Sequence, residues 1–149
     1  MEPSNLYEKD FYIWTQESAK LLREGRFSEL DVENIAEEIE AMGKRDKREL
    51  VSRLAVLLAH LLTWQYEADF RSKSWKSTIL TQRAEIDSLL KDSPGLRYEL
   101  NERIDRAYFR AKKSATAETG LPIRTFPETC PYSQEEILDT GFLPKEIKV

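Results

Sequence analysis

Apolar residues gather most densely between Glu49 and Glu67, where ELVSRLAVLLAHLLTWQYE is interrupted by one histidine. The run is too apolar for an ordinary surface helix, and it falls short of the roughly 20 apolar residues that span a bilayer. It predicts the central helix of an all-α bundle, with Leu50, Val51, Leu54, Leu58, Leu61 and Leu62 on its core face. Around it a 3.6-residue period predicts four more main helices. The first runs from about Glu8 to Glu24, with Phe11, Trp14, Leu21 and Leu22 on one side and Gly25 as its stop. The second, Asp31 to Met42, is capped by Ser28 or Asp31 and places Val32, Ile35, Ile39 and Met42 on one face. Gly43 is expected to break or kink the chain, with Asp46 and Glu49 as a new capping pair. Ser74 precedes a fourth helix marked by Trp75, Ile79, Ile86 and Leu89, ending near Asp92. Ser93-Pro94 signals a fifth, Pro94 to about Glu118, that buries Leu96, Leu100, Ile104, Ala107 and Ala111.

Periodicity then lapses. Thr119 to Val149 holds four prolines, yet it also carries Leu121, Ile123, Phe126, Tyr132, Ile137, Leu138, Phe142 and Leu143. A disordered tail would not carry so much apolar surface. The expectation is a bundle over residues 1–118 and an ordered strap over residues 119–149, packed on the same domain. Ser133 with Glu136 forms a capping box for one short helix in the strap, Gln134 to Asp139, with Gly141 beyond it.

Composition changes this picture little. With 149 residues, 40% hydrophobic and 34% charged, the chain has core and coat enough for one domain. A net charge of −4 argues against a nucleic-acid binder with one broad basic surface. Cys130 is the single cysteine and has no internal partner, which fits a reducing compartment. The N-terminal stretch lacks the basic-then-apolar layout of a secretory signal, so a cytoplasmic location is expected.

Several blocks in fixed order carry a family likeness: YEKDFYIW, LDVENIAEEIE, LLAHLLTW, SWKSTILTQR, SPGLR and FPETCPYS. Together they resemble the bacterial, largely cyanobacterial, family known as domain of unknown function family 29, from Tyr7 to about Pro144. The resemblance implies an all-helical, bundle-like domain. It implies no reaction, ligand or catalytic residue.

Chemistry must therefore be sought residue by residue. The carboxylates Glu33, Glu37 and Glu40 oppose Ile35 and Ile39 and read as a solvated face, whereas Glu38 and Asp31 border the apolar stripe. His60, the only histidine, sits at the flank of its helix beside Leu57 and Trp64. A boundary histidine satisfied by a neighbouring carbonyl is the plainer reading. The sharper one is a general base or metal ligand, with Glu38, Asp31 and Asp69 as candidate helpers. All-helical nucleotide pyrophosphatases hold magnesium with clustered glutamates, but ENIAEEIE lacks their paired EExxE spacing. No metal site or cofactor is assigned.

Arg103, Arg106, Arg110 and Lys113 form a cationic stripe on the fifth helix. They either pair with the acidic helix or bind phosphate or nucleic acid, joined by Lys44, Arg45, Lys47 and Arg48. Gly-rich phosphate loops, GxSxG elbows, CxxC pairs and HExxH helices do not occur. Enzymatic activity is left open. The leading expectation is an interaction or structural module that meets a protein partner or its own copy, with no membrane involvement. A metal-assisted hydrolase centred on His60 and nucleic-acid binding through the arginine stripe are the alternatives.

Overall fold

A computed structural model describes the backbone of residues 3–148 and the side chains of residues 6–148. It is all-α, with no strand among the described residues. Its helices are α1 (Pro3–Lys9), α2 (Phe11–Arg23), α3 (Val32–Tyr66), α4 (Lys73–Asp92), α5 (Leu100–Thr119) and α6 (Gln134–Leu138). Short 3₁₀ turns fill the joints. The chain divides into two compact units, Met1–Arg45 and Asp46–Val149.

In the first unit, the helix expected from Glu8 is two helices, because Asp10 ends one and starts the next. Its carboxylate accepts the Ile13 N–H at 3.0 Å, satisfying a donor that the helix start leaves free. Gly25 stops α2 as expected, at φ +72°. The N–H of Gly25 bonds the carbonyl of Leu22 at 3.1 Å and that of Arg26 bonds Leu21 at 2.9 Å, the paired bonds of a Schellman ending. Trp14 alone among the described side chains here is fully buried, with the Tyr7 ring edge-on 4.7 Å away.

The break expected at Gly43 does not occur. Helix α3 runs through it, and a Cβ there would meet nothing within 4 Å. One interior glycine costs a helix only about 1 kcal/mol, and the surrounding Glu, Lys and Arg residues are good helix formers. The Asp46–Glu49 pair therefore starts nothing. The expected core face of the second helix is also overturned, since Val32, Ile39 and Met42 are 64%, 63% and 57% exposed. The half-buried positions lie on a neighbouring face, at Asp31, Asn34, Ile35, Glu38 and Ala41. Polar contacts hold that face, among them a short hydrogen bond from the Tyr7 hydroxyl to Glu38. Phe11 and Leu22 of α2 are likewise exposed.

The second unit has the hub that the leucine run predicts. Leu50, Leu54, Leu58, Leu61 and Leu62 are wholly buried as expected, whereas Val51 is only half-buried and Leu57, expected at the flank, is wholly buried instead. Ile79, Ile86 and Leu90 of α4 close on the same core. From the other helix come Leu100, Ile104, Ala107 and Ala111. The cap of α4 is Ser72, not Ser74, accepting the Trp75 N–H at 3.1 Å. Ser93-Pro94 opens a 3₁₀ turn, Pro94–Arg97, rather than the long helix. Glu99 then takes a left-handed conformation, φ 57°, so α5 starts afresh at Leu100.

The strap is ordered and packed. Phe126, Tyr132 and Ile137 are buried in the hub's core, and the Phe126 ring meets Tyr66 edge-on at 5.1 Å. The Tyr132 hydroxyl donates to Gln65 at 2.8 Å, and the Tyr108 hydroxyl donates to the Pro127 carbonyl at 2.6 Å. The capping box at Ser133 and Glu136 forms as expected.

Candidate functional site

The sequence candidates fall into separate neighbourhoods. Asp31 and Glu38 belong to the first unit, and each has a partner there. Asp31 accepts from the Asn34 side-chain amide at 2.7 Å, and Glu38 accepts from Tyr7. That hydrogen bond, with partial burial and the charges of Glu38, Glu37 and Asp31, pushes the Tyr7 hydroxyl up to about 12. His60 and Asp69 belong to the second unit. His60 is half-buried, with Nδ1 2.8 Å from the Val56 carbonyl one turn earlier. Asp69 is exposed in a 3₁₀ turn, beside a shallow cavity bordered by Tyr66 and Glu146. Among the described residues, no group of three or more His, Cys, Asp or Glu side chains is placed to hold a metal ion.

Cys130 lies in the strap, where its Sγ donates to the Tyr132 carbonyl at 3.5 Å, and burial pushes its thiol up. A protonated, partly covered thiol is a poor nucleophile.

Two hollows remain. One lies in the first unit, about 750 Å³, with apolar walls from Leu6, Ile13, Trp14, Leu21 and Leu30 and a polar rim that includes Arg26 and Asp31. The indole N–H of Trp14 is buried and has no hydrogen-bond partner among the described residues. Buried donors are rarely left so, and one beside a hollow is open to an acceptor from outside.

The other hollow, also about 750 Å³, lies in the second unit between α3 and α5. It gathers Lys47, Arg48, Arg103, Arg106 and Arg110 around Val51 and Phe109. No ion pair among the described residues involves these arginines. Arg103 donates to the Tyr98 carbonyl, and Arg110 reaches the Ser52 hydroxyl at 3.5 Å. Lys113 lies outside the lining, its ammonium 4.5 Å from the centre of the Phe109 ring.

Sequence reasoning missed Arg83. This side chain is 3% exposed and donates to three strap carbonyls, Ile137 at 2.9 Å, Phe142 at 2.7 Å and Glu136 at 3.2 Å. Burial lowers its pKa, and Asp139 partly offsets this. A signal existed: at helical spacing Arg83 falls on the same stripe as Ile79, Ile86 and Leu90.

With fold and sites in place, the chain can be compared with known proteins. It matches the family model for Domain of unknown function DUF29 over residues 6–143, and it belongs to that family. Neither the curated proteins nor the solved structures give a match. No described helix is long and apolar enough to cross a membrane.

Proposed function

We propose that this protein is an interaction module whose first unit docks on a protein surface, with a second copy of the chain as the partner. The observation that carries this reading is the apolar stripe on the first part of α3. Val32, Ile35, Ile39 and Met42 follow one another at intervals of three, four and three, the spacing of a helix-packing seam. Three of the four are largely exposed, in a unit that fully buries only Trp14 among its described side chains. Apolar stripes of this kind on otherwise polar helices mark contact surfaces. A second copy supplies the same stripe, and two-fold pairing makes such a surface complementary to itself. Phe11, Tyr12, Ile13 and Leu22, exposed on α2, supply further apolar area for the contact, with aromatics of the kind enriched at interfaces.

Sedimentation of the full chain tests this. A concentration-dependent dimer is expected, shifted to monomer by Ile39→Lys with helix content unchanged. A strict monomer at the highest attainable concentration, or a dimer indifferent to Ile39→Lys, would overturn it.

A further inference from the structure

The hollow between α3 and α5 has the charge and size of a small-molecule site. We infer that it binds a phosphate monoester carried on a small organic body with hydroxyl or amino groups, such as a sugar phosphate or a mononucleotide.

The cations of the hollow are largely uncommitted. Four arginines outside the hollow are engaged. Arg83 holds three carbonyls, Arg71 bonds the Trp64 carbonyl and covers its ring, and Arg26 and Arg53 sit in ion pairs. In the hollow, Lys47, Arg48 and Arg106 make no hydrogen bond or ion pair among the described residues, and the contact of Arg110 is long at 3.5 Å. Three arginines and a lysine-arginine pair from two helices therefore face one space with most of their donors unclaimed. The guanidinium fork matches the oxygen geometry of phosphate, and bidentate contact is its strongest mode.

The charges of the hollow suit a phosphate monoester. Five cations line the hollow against three carboxylates, Glu99, Glu102 and Asp105, which leaves two positive charges. A phosphate monoester carries about −1.5 to −2 at neutral pH, so it neutralises the site almost fully. The same carboxylates, strung along the α5 side, repel an extended chain of phosphates. They would accept hydrogen bonds from hydroxyl or amino groups on a compact ligand. That pattern separates this site from a strand-binding groove, where cations and aromatics follow the backbone without interspersed acids.

One wall of the hollow is apolar. Phe109 is 58% exposed beside the hollow and Val51 adds apolar surface, so a ring or sugar face has somewhere to rest. A volume near 750 Å³ lies within the range of small-ligand pockets, about 300–1,000 Å³.

The test is titration calorimetry of the full chain with inorganic phosphate, ribose 5-phosphate, adenosine 5′-monophosphate and a twelve-nucleotide single strand. The expected result is saturable one-to-one binding of at least one of the two organic phosphates, tighter than inorganic phosphate. The double variant Arg106→Gln/Arg110→Gln should weaken it more than tenfold, since each charge-assisted contact is worth about that factor. Both side chains are exposed, so the variant should melt with the parent chain; Arg106→Lys, which keeps charge but loses the fork, should lie between. Four outcomes overturn the inference: no saturable binding of any monoester, inorganic phosphate binding as tightly as both, affinity unchanged in a folded double variant, or binding of the single strand alone. None of these touches the dimer reading, which concerns residues of the first unit and is read by sedimentation.

Discussion

Replacing Arg83 tests how the strap is held. Its guanidinium is buried and gives one nitrogen each to the carbonyls of Ile137, Phe142 and Glu136. Methionine fills similar volume without any donor. The Glu136 carbonyl would keep a bond from the Asp139 N–H at 3.3 Å, but those of Ile137 and Phe142 would lose their only hydrogen bond among the described residues. An orphaned buried polar group costs about 1–3 kcal/mol, so two orphans cost about 2–6. Removing the charge returns part of the expense of burying it, which places Arg83→Met near 3–4 kcal/mol. For a chain of this length each kcal/mol lowers the melting temperature by about 2–4 °C, so a fall of roughly 10 °C is expected. Arg83→Lys retains a charge but, as a point donor, cannot span three carbonyls, and should lose about half as much. Thermal unfolding followed by circular dichroism measures both. An Arg83→Met chain that melts with the parent, or a lysine variant worse than methionine, would refute the clasp.

Three further outcomes are expected. Gly43→Ala should stabilise the chain by about 0.5–1 kcal/mol in a denaturant titration, because the methyl meets open space and the helix gains a better former. Leu58→Ala should cost about 2–5 kcal/mol in the same titration, since it opens a void among fully buried neighbours. Tyr7, whose hydroxyl is pushed up from 10.0 to about 12 chiefly by its bond to Glu38, contributes stability that is complete below pH 10 and fades as pH rises toward 12. A tyrosinate absorbance titration of the parent minus that of Tyr7→Phe should show one ionisation near 12; a difference centred on 10 would contradict the hydrogen bond.

The hub and the strap were legible in the chain because both write their burial as composition. Five leucines at helical spacing have nowhere to go but a core, and a proline-rich tail with eight large apolar residues must lie on something. Local chemistry was legible too: Gly25, Ser133 and Glu136 do what their types predict. What escaped were cases where one signal could be satisfied in two ways. Val32, Ile35, Ile39 and Met42 have the period of a buried face, but period reports that a side is apolar and not what covers it. Ser93-Pro94 is as good a start for a 3₁₀ turn as for a helix, and the left-handed Glu99 that decides the matter carries no residue-type mark. Asp10 caps α2 from within what reads as one amphipathic run. The cationic hollow depends on Lys47 and Arg48 meeting a stripe more than fifty residues away. Arg83 hides because a charge ordinarily marks solvent, and its partners are main-chain oxygens with no residue code.

That last point bears on how the molecule can vary. A clasp that grips only amide oxygens is blind to the identity of the residues that present them, provided the loop keeps its path. Glu136 and Phe142 are thus free to drift, as far as this anchorage goes, while one arginine keeps the terminal segment in register. The tail can acquire new surface chemistry without renegotiating its attachment.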